Sequence, residues 1–188
     1  MKKIFLTGIL SILFVGISFA QARIGATAGL NVSTYTGDVS DAVDFKAGFQ
    51  AGLVVDLGIT ESFSVIPELL FSQRGAKFKG GNVSQTLNYL QLPINAAYKL
   101  EAGYGSKVII FAGPYLGYGI SGSDGIKFGS KIEEVKPFDF GLNFGLGYQF
   151  EKIFFKLQCN PGLLNMNNGS DIKIRNLNLA VTAGYFFN

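Results

Sequence analysis

Phe138-Asp139-Phe140-Gly141-Leu142-Asn143-Phe144-Gly145-Leu146-Gly147-Tyr148-Gln149-Phe150 decides the fold. Every second residue is large and apolar, and the residues between are small or polar. A strand points successive side chains to opposite faces, so this stretch has one greasy face and one polar or bare face. Soluble strands usually end after about 5–6 residues, and this one does not. Twelve steps at about 3.3 Å, tilted by about 45°, reach a height of roughly 28 Å. The apolar band of a transmembrane barrel is about 25 Å tall.

The same rhythm recurs along the chain. Arg23–Thr34, Phe45–Leu57, Ser62–Gln73, Thr86–Leu100, Lys107–Ile120, Lys152–Asn160 and Ile174–Phe187 alternate in the same way. Phe49, Leu53, Leu69, Leu92, Ile110, Leu157 and Val181 lie on the apolar side. Ile66 and Leu70 are exceptions that fall on the polar side. With Pro137–Phe150 these make eight strands. Their connections alternate in length. Gly58–Glu61, Glu101–Ser106 and Glu151-Lys152 are short; Thr34–Asp44, Arg74–Gln85, Ser121–Lys136 and Pro161–Lys173 are long. Outer-membrane barrels join strands by short periplasmic turns and longer extracellular loops. The predicted fold is therefore all-β, an eight-stranded antiparallel transmembrane β-barrel over residues 21–188, with both ends of the chain on the periplasmic side.

A cleaved signal peptide is expected ahead of it, over residues 1–20. Lys2 and Lys3 precede an apolar run from Ile4 to Ala20, and small residues allow cleavage after Ala20 or Ala22. Those two lysines belong to the 16 basic residues, so the mature chain carries one more basic group than its 13 acidic ones. That balance gives no electrostatic reason to expect nucleic acid as a partner. Charged residues are 15% of the chain, against about 25% in soluble domains. Gly stands at 25 of 188, nearly twice the usual share of about 7%. Few charges with much Gly and Phe suit a wall that touches lipid outside and packs closely inside.

A soluble barrel of the lipocalin kind would reverse the faces. Its polar face would be dense in Lys, Glu and Thr. Here that face is Gly, Asn, Gln and Ser with a thin set of charges. The polar face is therefore expected inside, as a lumen holding Lys46, Asp56, Glu68, Lys99, Asp139 and Lys156. Buried charges need partners, so the three carboxylates are expected to neutralise the three lysines. Tyr98, Tyr118, Phe138, Phe150, Tyr185 and Phe187 fall near strand ends on the outward face, where interfacial aromatic girdles sit. Pro67, Pro93, Pro114 and Pro161 fall within or at the ends of strands, where each removes a ladder donor. Bulges are the expected accommodation.

Several phrases carry a resemblance. They are Phe45-Lys46-Ala47-Gly48-Phe49, Pro67-Glu68-Leu69-Leu70-Phe71-Ser72-Gln73-Arg74-Gly75, Asn88-Tyr89-Leu90-Gln91-Leu92-Pro93-Ile94, Gly113-Pro114-Tyr115, Asp139-Phe140-Gly141-Leu142 and Asn160-Pro161-Gly162-Leu163. In these the chain resembles the PorT-like outer-membrane β-barrel family of Gram-negative bacteria, similar in form to small OmpA- and OmpX-type barrels. The resemblance implies a place in the outer membrane and little chemistry; some members are tied to protein secretion or gliding. Barrels of this kind tend to finish on an aromatic, whereas here Asn188 follows Phe187.

Chemistry is narrowed by what the chain lacks. It has no His, so a Ser-His nucleophile is excluded, as are zinc sites built on His or several Cys. Asp56, Glu68 and Asp139 remain as carboxylates for acid–base work, with lumen neutralisation the plainer reading. Asp38, Asp41 and Asp44, or Asp124, Glu133 and Glu134, are loop carboxylates whose spacing fits no defined calcium loop. No cofactor or metal is expected. Eight strands enclose only enough room for side chains. A non-enzymatic scaffold is therefore expected, embedded in outer-membrane lipid and meeting a protein partner through its long loops. Tyr35, Phe78 and Phe128 are loop aromatics suited to such a contact. A narrow or gated porin-like channel is the alternative, and an enzyme acting on lipid is a third reading.

Overall fold

Burial in the computed structural model follows the two-residue alternation of the opening stretch. Asp139, Asn143 and Gln149 are buried, while Phe138, Leu142, Leu146 and Phe150 are exposed. The structure describes residues 22–80, 84–123, 128–129, 135–167 and 172–188. The proposed signal peptide, with Asp124, Glu133 and Glu134, lies outside them.

Eight long strands follow one another: β1 (Ala22–Gly37), β2 (Lys46–Gly58), β3 (Phe63–Phe78), β4 (Ser84–Gly103), β5 (Ser106–Gly122), β6 (Phe138–Phe150), β7 (Ile153–Pro161) and β8 (Ile174–Phe186). Each pairs antiparallel with the next, and β1 pairs with β8, from Gly25 with Phe186 to Gly37 with Ile174. The sheet is therefore a closed eight-stranded antiparallel barrel. A two-residue strand, Val43–Asp44, adds a short extension against Phe78 and Lys77. The short turns gather at one rim with Ala22, where β1 begins, and Asn188, and this is the turn end; the long connections gather at the other, the loop end. At the turn end, Gly103, Tyr104 and Gly105 all take positive φ, and Glu151 does so in the β6–β7 turn.

Two boundaries differ from the sequence reading. Arg74 was expected to open a loop, but β3 runs on to Phe78 and β4 begins at Ser84. Arg74, Gly75 and Ala76 are three consecutive buried residues, so the alternation slips there and hides the strand. Gly75 supplies the slip with φ +145. Ser33 Oγ holds it in place, accepting from Gly75 N at 2.8 Å and donating to Gly75 O at 2.9 Å. Tyr35, expected in a loop, lies in β1 and is buried.

The prolines are accommodated differently from the expected bulges. Pairing of β2 with β3 lapses between Val54 with Glu68 and Leu57 with Val65, spanning Pro67. Pairing of β3 with β4 lapses between Pro67 with Ile94 and Leu70 with Gln91, spanning Pro93. Pairing of β4 with β5 lapses between Pro93 with Tyr115 and Ala96 with Ala112, spanning Pro114. Pairing of β6 with β7 lapses between Gly141 with Gly162 and Phe144 with Cys159, spanning Pro161. The register is identical on both sides of every lapse. One missing N–H breaks one rung, and the strands resume without shifting. The register shifts between β4 and β5 lie elsewhere, at Asn88/Tyr89 and Glu101/Gly103.

Asn188 closes the seam. Phe187 N donates to Ile24 O at 2.8 Å. Beyond it the Asn188 side chain takes over, accepting from Ile24 N at 2.9 Å and donating to Ala22 O at 2.8 Å. A primary amide has one donor group and one acceptor and so imitates the next peptide of the ladder.

Candidate functional site, a filled lumen

The inward side chains form layers, and the order runs upward from the turn end. First is an open vestibule of about 450 Å³ lined by Arg23, Asp56, Glu61, Lys99, Glu101 and Lys107. Asp56 at its floor accepts from Lys99 Nζ at 2.8 and 2.7 Å and from Arg23 at 2.5 Å. Arg23 also donates to Gln149 Oε1 at 3.0 Å, and its guanidinium lies 4.4 Å from the Phe186 ring centre. Above the vestibule the lumen turns apolar. Val54, Ile66, Ala97, Ile109, Phe111, Phe154 and Phe186 pack as one cluster. Sequence reading foresaw a polar lumen with Ile66 and Leu70 as exceptions. It missed the inward Phe111, Phe154 and Phe186, whose signal was an aromatic on the otherwise polar side of β5, β7 and β8.

Above the apolar cluster lies an amide chain. Asn178 Nδ2 donates to Asn160 Oδ1 at 3.0 Å, Asn160 to Asn143 at 2.7 Å, Asn143 to Asn95 at 2.9 Å, and Asn95 to Glu68 Oε1 at 3.3 Å. Lys156 Nζ meets the other carboxylate oxygen, Glu68 Oε2, at 2.5 Å. All the donors point one way and end on an anion, so each bond polarises the next. The chain skips β5: Asn143 reaches Asn95 across Gly113, which pairs with Asn143 and carries no side chain into the gap. Asn95, Asn143 and Asn160 each lie on the polar face in sequence, but only the register shows that they meet.

Nearer the loop end sits Arg74, fully enclosed. It donates to Gln91 Oε1 at 2.7 Å and stands 3.5 Å from both Tyr115 Oη and Asp139 Oδ2. Tyr115 and Asn176 also donate to Asp139 Oδ2, each at 3.0 Å. The expected pairing thus holds for two lysines. Asp56 meets Lys99 and Glu68 meets Lys156, but Asp139 meets Arg74. Lys46 is buried, its Nζ donates to Ala47 O at 3.4 Å, and among the described residues no carboxylate forms an ion pair with it. A second apolar cluster covers this layer: Tyr35, Val43, Ala76, Leu87, Tyr89 and Met166, with Val39, Phe128, Val135 and Ile174 against it. Phe128 meets Tyr89 edge-on, ring centres 5.6 Å apart. Tyr35 and Phe128 are therefore engaged inside, and only Phe78 of the three suggested loop aromatics is exposed. Of the loop carboxylates, Asp38 accepts from Lys173 N at 2.8 Å and Asp44 stands 3.7 Å from Lys79.

The outer surface is a continuous apolar belt. Tyr98, Phe150, Tyr185 and Phe187 are exposed on it near the turn end; Tyr118 and Phe138 are exposed near the loop end, edge-on at 5.2 Å. A closed barrel satisfies its own backbone groups, so such a belt can face hydrocarbon.

A family model described as outer membrane protein beta-barrel domain matches residues 19–168. The chain belongs to this outer membrane barrel family. The match ends before β8, and the structure supplies that last strand and the seam. As a family member the protein is an integral outer-membrane barrel, similar in form to small OmpA- and OmpX-type barrels. Among solved structures it is similar to Neisserial surface protein A, at 12% identity and TM-score 0.55, covering 88% of this chain and 99% of that one. It is also similar to Ail, the attachment invasion locus protein of Yersinia pestis, at 13% identity and TM-score 0.48, with the same coverage. No curated protein sequence matches it significantly. Outer-membrane barrels as a class turn short connections to the periplasm and long loops outward; by that rule the vestibule is expected on the periplasmic side and the Arg74 layer toward the cell exterior.

Proposed function

We propose that this outer-membrane barrel is a non-conducting, non-enzymatic scaffold whose long loops meet a protein partner at the cell surface. The observation that carries the reading is the filled lumen. The apolar cluster around Phe111, Phe154 and Phe186, the Asn178–Glu68 chain and the Arg74 layer stand in series. A pore needs a continuous wet path, and three stacked layers of packed side chains oppose one. The carboxylates that acid–base chemistry would need are held by Lys99, Lys156 and Arg74. The PorT-like phrases support a link to secretion or gliding machinery, and the Lys2-Lys3 start with its apolar run supports export by a cleaved signal peptide. In lipid, the six outward aromatics serve as interfacial anchors.

Purified full-length protein in planar bilayers is expected to give no steady open steps; large, steady steps would replace this reading with the narrow-channel one. Pull-down from intact outer membranes is expected to recover a protein that is lost when residues 121–136 are deleted. Lipid composition is expected to be the same in cells carrying wild type, Asp139→Asn or Glu68→Gln; a difference would make the protein an enzyme acting on lipid.

A further inference from the structure

The vestibule at the turn end is neutral as a whole but keeps its charges apart. Arg23, Lys99 and Lys107 line its 450 Å³ together with Asp56, Glu61 and Glu101. Their pairing is uneven. Arg23 and Lys99 both bind Asp56, so the floor carries one positive charge in excess. Lys107 is taken by Glu101, its partner in the β4–β5 register, at 2.7 Å. Glu61 is then the vestibule carboxylate with no ion pair among the described residues. The floor also has donors to spare. Arg23 uses one nitrogen, Nη2, for both Asp56 and Gln149, and its Nη1 and Nε make no hydrogen bond among the described residues. Lys99 Nζ spends two of its three protons on Asp56. Glu61 sits at the rim on a fixed turn: Phe63 N donates to Thr60 Oγ1 and Thr60 N to Phe63 O, each at 3.0 Å.

This separation selects a ligand. A simple anion would suit the floor but must pass Glu61 and Glu101 to reach it. A simple cation would suit Glu61 but is repelled by the floor. A molecule with an anionic end held deep and a cationic end nearer the mouth suits both. The spacing sets its length. Ser62 O accepts from Lys99 N at 2.7 Å, so Glu61, one residue further along the turn, stands beyond Lys99 toward the rim. Glu101 marks the same rim on β4, two residues beyond Lys99, or about 7 Å along the strand. Two residues of extended peptide span about 7 Å. We propose that the vestibule binds a zwitterionic dipeptide, its carboxylate at Arg23 and Lys99 and its ammonium at Glu61. The cavity is of ordinary size for a small-molecule site, about 300–1,000 Å³. It lies at the end of the barrel away from the long loops, so it stands or falls apart from any partner there.

The test titrates the full-length protein in lipid nanodiscs with diglycine and follows the backbone amide resonances of Gly58 and Lys107. Saturable shifts are expected at millimolar peptide; none would overturn the site. N-acetyl-diglycine lacks the ammonium and diglycine amide lacks the carboxylate. Each is expected to bind about tenfold more weakly, the worth of one charge-assisted contact. Equal binding of the acetylated peptide would make the vestibule a plain anion site, and equal binding of the amide a plain cation site; either overturns the proposal. Glycine is too short to reach both ends, and binding equal to that of diglycine would overturn the assigned spacing. Glu61→Gln should weaken diglycine about tenfold and leave N-acetyl-diglycine unchanged. Arg23→Gln keeps Asp56 paired with Lys99 and should weaken diglycine while leaving diglycine amide unchanged. Two variants are used so that failure of one to insert leaves the other. Diglycine binding that neither variant weakens would put the peptide elsewhere and sink the assignment.

Discussion

Lys156 Nζ lies 2.5 Å from Glu68 Oε2 in the middle of the barrel, while Asn95 Nδ2 holds the other carboxylate oxygen at 3.3 Å. The pair joins β7 to β3 across the lumen, so it braces walls that share no backbone bonds. Lys156→Met would leave Glu68 charged with one neutral donor. Removing one partner of a buried pair costs about 3–5 kcal/mol. The expected result is a lower urea midpoint in vesicles for Lys156→Met. Adding Glu68→Gln should recover part of the loss, and a double-mutant cycle measures the coupling.

Gly113 tests the amide chain. A Cβ there would press on Ile94 O and on Asn95 Cα, both backbone atoms that cannot swing aside. It would also enter the gap through which Asn143 reaches Asn95. Gly113→Ala is expected to destabilise by about 1–3 kcal/mol, in the range of overpacking. Asn143 and Asn95 side-chain amide resonances should shift together, whereas unaffected resonances would mean that the contact across Gly113 is not made.

Asn188 tests the seam. Its two hydrogen bonds, to Ile24 N and Ala22 O, lie exposed at the rim. At about 0.5–1.5 kcal/mol for each bond, Asn188→Ala should cost about 1–3 kcal/mol in all. Hydrogen exchange should quicken at Ile24 while protection at Leu30 stays as it was.

The outward face is tested by charge placed at different depths. Leu146 is exposed at mid-strand on β6, and Tyr185 is exposed near the turn end of β8. Arg on the lipid face of a barrel costs about 2–4 kcal/mol at the midplane and about 0–1 near an interface. Leu146→Arg should therefore lower stability in vesicles far more than Tyr185→Arg. Equal effects would remove the membrane depth assigned to the two positions.

The architecture was legible because one rule, alternation with period two, governs every strand. Phe138–Phe150 alone placed Asp139 inside and Leu146 outside. What escaped the rule had local causes. Gly75 breaks the alternation, so Arg74 looked like loop although it is enclosed. Inward aromatics such as Phe154 leave a signal, an aromatic on the polar side of the strand, but it is faint because the neighbours Phe155 and Ile153 are apolar as well. The amide chain needed the register. Asn160 lies beside Asn143 and Asn178 only once β6, β7 and β8 are aligned, and no spacing within one strand encodes that. The prolines looked like interruptions, since a sequence reports the lost donor but not whether neighbouring strands stay aligned.

The lapsed rungs are unevenly distributed around the circumference. They fall between β2 and β3, β3 and β4, β4 and β5, and β6 and β7, whereas the β1–β8 contact is continuous from Gly25 to Gly37. The junction between the first strand and the last is therefore zipped without a missing tooth. Breathing of the wall should be greatest along the β2–β5 arc, which makes that arc the compliant flank of an otherwise stiff cylinder.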